Sequence, residues 1–307
     1  MSSCLWNPNF IAMIVYGLLA LPVSLLNIWT ILSRRKAFKG SFYRIYVVIS
    51  VHEMIMYFVK YPIIRLPLFT GSTCPLSTFF AAKRFVGLDF IHFIHWHVGF
   101  TVLILESTIA FDRIVIILLE SRWKKRWREI YVYFVIFAIF FPLIFSHVVL
   151  RDTSRYEYFE NTNNYQIMTS VQYRDYLYNG AIGMLLVCTF ASLVMNSIVL
   201  HSFCSGRLHI GSIQKKTEFK LFIYSLIELI SELLMIVVFI LQRFTPLESA
   251  LYDFSRYFLL FTQDAVTLLP PFILLATSAQ LRHAIKEQFC GKKKFTPVTN
   301  YSFTSKK

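Results

Sequence analysis

Acidic charge is what this chain has least of. In 307 residues, 17 Asp and Glu stand against 31 Lys and Arg, and both signs together make up only 16%. A soluble domain carries about a quarter. The sequence also lacks an internal repeat and a low-complexity segment, which excludes solenoids and compositionally biased linkers. Its 5 cysteines are scattered, with no CxxC and no His/Cys metal spacing, so no zinc module is expected. No phosphate-binding glycine loop, nucleophile elbow or HExxH is present. The chain is therefore read as a non-enzyme that needs no cofactor and no metal.

What is present is apolar. Hydrophobic residues make up 56% of the chain and aromatics 17%, with 31 Phe and 17 Tyr, a composition suited to lipid-facing surfaces and interfacial belts. Seven long apolar stretches recur: Phe10–Leu32, Phe42–Ile64, Phe85–Leu119, Ile130–Leu150, Tyr178–Leu200, Phe219–Leu241 and Tyr252–Thr277. Each has about the 20 residues a helix needs to cross a bilayer. In lipid the backbone must satisfy its own hydrogen bonds, so the spans are expected to be helices. The fold class is an all-α seven-transmembrane bundle with the lipid bilayer as its first partner. Seven spans and short loops leave no room for a second domain, so residues 1–307 read as one seven-transmembrane domain ending in a basic tail, 278–307. The first stretch lacks a basic n-region and is followed by Arg34-Arg35-Lys36, unlike a cleaved signal peptide.

The net charge is +14, and its distribution orients the bundle. The loops on one side (33–44, 120–129, 201–220, 278–307) hold 21 Lys and Arg, whereas the other side (1–9, 62–84, 151–177, 242–256) holds 8. Basic loops stay in the cytosol, so the N-terminus is placed outside and the C-terminus inside. Because the basic residues are split among separate loops, nucleic-acid binding is not expected. Cys4 and Cys74 fall outside, where a disulfide persists; a Cys4–Cys74 bridge and two free thiols are both open. Cys290, beside Lys292-Lys293-Lys294, is a candidate for palmitoylation or a plain thiol.

Polar groups inside a membrane bundle are expensive and therefore informative. Asp112-Arg113, after Phe111 near the cytosolic end of the third span, reads either as a simple helix-end charge pair or as a switch. Asp89, His92 and His95 are spaced i, i+3, i+6 and share a face of the outer half of that span. They read as polar packing residues or as ligand contacts; His also titrates near neutral pH, and its spacing here leaves zinc open. Glu228 and Glu232, i and i+4 in the sixth span, are expected to face the interior together and to be paired or protonated. Glu53 and Asp264, each midway along its span, read either as an interior polar pair that meets across the bundle to bind a proton or cation or, like Glu228 and Glu232, as hydrogen-bonding residues that orient helices. Pro270-Pro271 is the expected hinge of the seventh span.

These residues carry a resemblance. Ser41-Phe42-Tyr43-Arg44, followed by Glu53 and Arg65, is similar to the SFYR…D…R stretch of the nematode serpentine chemoreceptors of class gamma. His92-x-x-His95, an Arg at the end of the third span, the basic loop with Trp123 and Trp127, and Pro270-Pro271 before Ser278-Ala279-Gln280-Leu281-Arg282 are similar too. Class V is a close alternative. The resemblance implies a G-protein-coupled chemosensory receptor for a small environmental molecule, in the plasma membrane and in sensory cilia. Arg113 would match the arginine that such receptors keep at the cytosolic end of helix three, and Cys74 sits where rhodopsin-like receptors place half of a disulfide. The 151–177 loop has no Cys to complete that bridge, the sixth span has no Pro, and the seventh lacks Asn-Pro-x-x-Tyr. Glu53 stands where the family tends to have Asp.

The expectation is thus a receptor binding a small-molecule ligand near Asp89, His92, His95, Glu228 and Glu232. It would contact a heterotrimeric G protein through Asp112, Arg113, Trp123, Trp127, Lys215 and Lys216, and pairing with a second receptor is open. A proton- or cation-coupled transporter using the buried acids, or a ligand-gated seven-helix channel, is the alternative; the lack of repeated halves opposes the first and the charge bias opposes the second.

Overall fold

In a computed structural model, residues 8–83, 85, 87–160, 162–205, 212–245 and 249–290 are described. Seven long helices run through them: α1 (Pro8–Ser33), α2 (Ser41–Lys60), α3 (Leu88–Leu118), α4 (Ser121–Phe140), α5 (Val171–Cys204), α6 (Ser212–Phe244) and α7, which is split into Ala250–Leu268 and Pro270–Thr277. An eighth, α8 (Ala279–Cys290), follows at the inner end. Here "inner" denotes the side that the basic loops assign to the cytosol.

α3 is the hub, packing on α2, α4, α5 and α6. That explains its composition: it carries Asp89, Glu106, Asp112 and Arg113, yet His92, His95, Glu106, Asp112 and Arg113 are all buried. α4 is peripheral, with only 22% of its most apolar window buried, whereas α7 is central at 61%. The faces turned outward are greasy. Leu18, Tyr133, Val187 and Phe190 are each 65–70% exposed, as lipid-facing positions must be.

Several boundaries differ from the apolar stretches, each for a physical reason. α3 starts at Leu88 and not Phe85, because Gly87 has φ +92, a backbone that ends a helix. α4 starts at Ser121, so the basic segment 120–129, expected as a loop, forms its first turns. Hydropathy cannot see these turns because their charges lie beyond the lipid. After Lys60, α2 continues as a π-turn over Tyr61–Arg65 and a short turn over Leu66–Leu68. Pro62 has no N–H for the carbonyl of Phe58, and the N–H of Tyr61 takes that carbonyl instead. Pro270 and Pro271 cannot donate to the turn before them, which divides α7 at Leu269; Asn27 of α1 donates to the Pro271 carbonyl at 2.9 Å.

The outer loop 151–177 holds an element that was not expected, a two-stranded antiparallel hairpin of β1 (Arg155–Phe159) and β2 (Asn164–Met168). Asn163 turns it with φ +47. The hairpin is fastened on three sides. The N–H of Tyr156 donates to the Lys83 carbonyl at 2.7 Å, and its hydroxyl donates to the Pro62 carbonyl at 2.8 Å. The Asn163 side chain accepts from the Ser72 N–H at 3.1 Å. Phe80, Leu88, Tyr156 and Tyr165 pack beneath it, and burial pushes the Tyr156 phenol up from its ordinary pKa.

Candidate functional site

Polar side chains cluster at three levels along α3, which links them like a rod. The outermost level is a cavity of about 230 Å³ between α2, α3, α5, α6 and α7. Its walls are mainly apolar, with Met56, Trp96, Phe100 and Phe239 among them, and Phe159 and Tyr165 to Thr169 of the hairpin form its outer cover. His92 and His95 line it. His92 Nδ1 lies 3.0 Å from the Ser154 hydroxyl and its Nε2 accepts from the Trp96 indole at 2.9 Å, which fixes the ring. His95 Nδ1 is buried without a hydrogen-bond partner. Asp89, expected in the same pocket, is not among the residues that line it. It accepts the backbone N–H of Ser154 at 2.7 Å and so holds the root of the hairpin over the opening.

The middle level is a much smaller cavity of about 10 Å³, lined by Glu106, Ser192, Tyr224, Ser225, Glu228 and Glu232 with two apolar residues. Glu228 and Glu232 thus face the interior together, but the expectation that they share the outer pocket with His92 and His95 is corrected. They sit deeper, opposite Glu106, because α6 passes α3 one level further in. The interior pair Glu53–Asp264 does not form either. Asp264 is bonded to Arg65, whose guanidinium also lies 4.4 Å and 4.6 Å from the ring centres of Tyr57 and Tyr61, while both Glu53 oxygens lack a hydrogen-bond partner. The closer cation takes the carboxylate.

The innermost level surrounds Asp112 and Arg113, buried at 0% and 2% exposure. Asp112 accepts from the Ser41 hydroxyl at the start of α2, from the Trp127 indole of α4 at 2.8 Å, and from Arg113. Arg113 also bonds Glu218 of α6 at 2.9 Å and lies 4.5 Å from the centre of the Phe42 ring. One dipeptide therefore ties α2, α3, α4 and α6 together. Trp123 takes no part: it is exposed, with Arg122 and Arg126 about 6 Å from its ring. Lys215 and Lys216 fall within α6, but their side chains lie outside the described residues. α8 packs along this end, with Tyr43 and Ser278 hydroxyls 3.1 Å apart, Gln280 donating to the Ala37 carbonyl at 2.8 Å, and Arg34 bonded to Glu287.

A cavity at the outer end of a seven-helix bundle and a buried Asp-Arg pair at the inner end of its third helix describe a receptor frame. The model of the Srg family of chemoreceptors matches residues 10–285. The chain belongs to the Srg chemoreceptor family. It is a multi-pass membrane receptor and not an enzyme. Serpentine receptor class gamma-31 of Caenorhabditis elegans is 22% identical to it over 310 residues, covering 94% of this chain and 96% of that one. Among solved structures, squid rhodopsin superposes with a TM-score of 0.59 at 16% identity, covering 91% of this chain and 84% of the other, which is a likeness of fold.

Within this Srg frame, three participants take places that the residue pattern did not assign them, Arg65 having entered only through the family motif. Arg65 was counted as an outer-loop charge, yet it is 0% exposed inside the bundle. Lys60, at the end of α2, is 1% exposed and lines the outer cavity. Glu218, the partner of Arg113, is an acid in an otherwise basic inner loop. The signal for all three was a charge of unexpected position or sign beside an apolar run. Cys74 is disulfide-bonded; Cys4, its partner in one of the two readings left open, lies outside the described residues, as does the side chain of Cys290.

Proposed function

We propose that this chemoreceptor binds a small environmental molecule in the outer cavity and signals to a heterotrimeric G protein at the inner end, from the plasma membrane of a sensory cell. The observation that carries this is the pairing of the two sites on one rigid helix. His95 and Arg113 are 18 residues apart on α3, about 27 Å at 1.5 Å per residue. A ligand shifts a two-state equilibrium only by its differential affinity for the states. The α6 and α7 walls of the outer cavity, with Phe239, Gln242 and Gln263, belong to the helices that also end beside Arg113 and α8. Tighter contact there in one state would move α6, and with it Glu218, relative to Arg113. The divided α7 is the compliant element. The inner end presents basic residues of α4 and the exposed Lys220 of α6, a charge that favours an acidic partner surface and speeds its encounter.

The experiment is a C-terminal tag read with and without permeabilisation, followed by a G-protein activation reporter in the same cells. A tag that is reached only after permeabilisation, with a reporter response that the Arg113→Ala receptor loses at equal surface expression, supports the reading. A tag accessible on intact cells overturns it, since Arg113 would then face away from any G protein.

A further inference from the structure

We propose that the outer cavity is built for a small organic anion, a carboxylate on an apolar body, with Lys60 as its counter-charge. This rests on the reading of that cavity as the receptor's ligand site and assigns the ligand's chemistry.

Three cations are buried among the described residues: Lys60, Arg65 and Arg113. Arg65 is bonded to Asp264, and Arg113 to Asp112 and Glu218. Lys60 alone has no carboxylate within ion-pair distance among the described residues. Its one hydrogen bond is a long one, 3.4 Å from Nζ to the Gln263 carbonyl. Asp264 is already held by Arg65, and Glu53 lies seven residues back on α2, about 10 Å along the helix axis. Asp264 and Glu53 act on Lys60 from beyond contact distance, and a buried ammonium with no contact ion pair is costly to keep, so its place beside a hollow points to a charge that arrives with the ligand.

The rest of the wall agrees. The described lining residues include Lys60, Arg174, His92 and His95, but no Asp or Glu. An amine would meet the unpartnered Gln263 Oε1 but no carboxylate among the described lining residues, and two cationic side chains. His95 Nδ1 and the Gln242 amide nitrogen are buried without partners and offer further groups to a carboxylate or a hydroxyl. Arg174, half-buried, would draw anions toward Lys60. Opposite these groups stand Met56, Trp96, Phe100 and Phe239, which suit an alkyl or aromatic body.

The test uses the purified receptor in nanodiscs of zwitterionic lipid and three probes of matched length: hexanoate, 1-hexanol and hexylamine. The unfolding midpoint is followed against the concentration of each. Hexanoate is expected to stabilise the protein at a concentration about tenfold or more below that of hexanol, and hexylamine to give no shift. In the Lys60→Gln receptor hexanoate should fall to the level of hexanol while hexanol keeps its effect; Lys60→Met serves if the Gln variant does not fold. Equal or weaker action of hexanoate, a preference that survives loss of Lys60, or no shift from any probe overturns the proposal. Gly99→Leu separates it from the reading beneath. Gly99 lines the cavity, and an added Cβ meets only the flexible end of Met56, at 3.3 Å. If hexanol action survives this filling, the cavity is not the ligand site and both readings fall. If filling removes it and carboxylate is not preferred, the cavity stands and only the anion assignment falls.

Discussion

The two ends of α3 treat charge in opposite ways. At the inner end Asp112 accepts from three neighbours and Arg113 reaches two carboxylates and a phenyl ring. At the outer end Lys60 reaches, among the described residues, a distant carbonyl, and His95, Gln242 and Gln263 each keep a buried polar atom without a partner. Buried polar groups in a folded protein are almost always satisfied. A cluster bonded to several helices, as the inner one is despite the unpartnered Arg113 Nε, holds them in one arrangement; a loosely bonded one beside a cavity is arranged for something that binds. Arg65 marks the border between these regimes, since it lies about one turn beyond Lys60 and is paired with Asp264, yet its Nε and one terminal nitrogen are buried without partners.

Perturbing each side should sharpen this contrast. The largest effect is expected at the border: Asp264→Leu strands a fully buried guanidinium and should cost about 3–5 kcal/mol, read as a fall in the unfolding midpoint and in yield. The double change with Arg65→Met should recover most of it, because two apolar side chains have no charge to satisfy. At the inner end, Trp127→Phe keeps the ring but removes the donor to Asp112, for about 1.5–3 kcal/mol by the same measurement. In the packed outer half, Gly17→Ala places a Cβ 1.6 Å from the Tyr57 hydroxyl, and that hydroxyl is bonded to Tyr61 at 2.7 Å. Overpacking of this kind costs about 1–3 kcal/mol. Glu218→Gln weakens the tie between α3 and α6. If that tie restrains the receptor, basal reporter signal should rise about tenfold for each 1.4 kcal/mol of restraint removed; an unchanged basal signal would mean that the bond is architectural only. Trp123→Ala, at an exposed ring, should change stability by less than about 0.5 kcal/mol.

The structure separates what residue pattern reveals from what it hides. Asp112-Arg113 stood out because a charge pair inside an apolar span has few innocent explanations. His92 and His95 stood out because their spacing places them on one helix face. Asp89 had the same spacing and a different role, since which residue of a face meets a cavity and which meets a loop depends on the hairpin folded above it. Glu53 and Asp264 looked like partners because both lie at mid-span, but depth is only one of three coordinates, and Arg65 occupied the nearer azimuth. The hairpin itself was hidden in a polar loop, where apolar periodicity is too weak to announce a pair of five-residue strands.

The amino-acid sequence alone determined that this protein crosses a membrane as a helical bundle, which side its basic loops favour, and that its third span carries the informative charges. Those follow from the cost of placing polar groups in hydrocarbon, a property that each residue brings with it. The tertiary structure alone decided which cation meets which acid, that both His92 and His95 face a cavity, and that Lys60 makes no contact ion pair among the described residues. Those depend on the rotation and offset of one helix against another, set by packing among residues far apart in the chain.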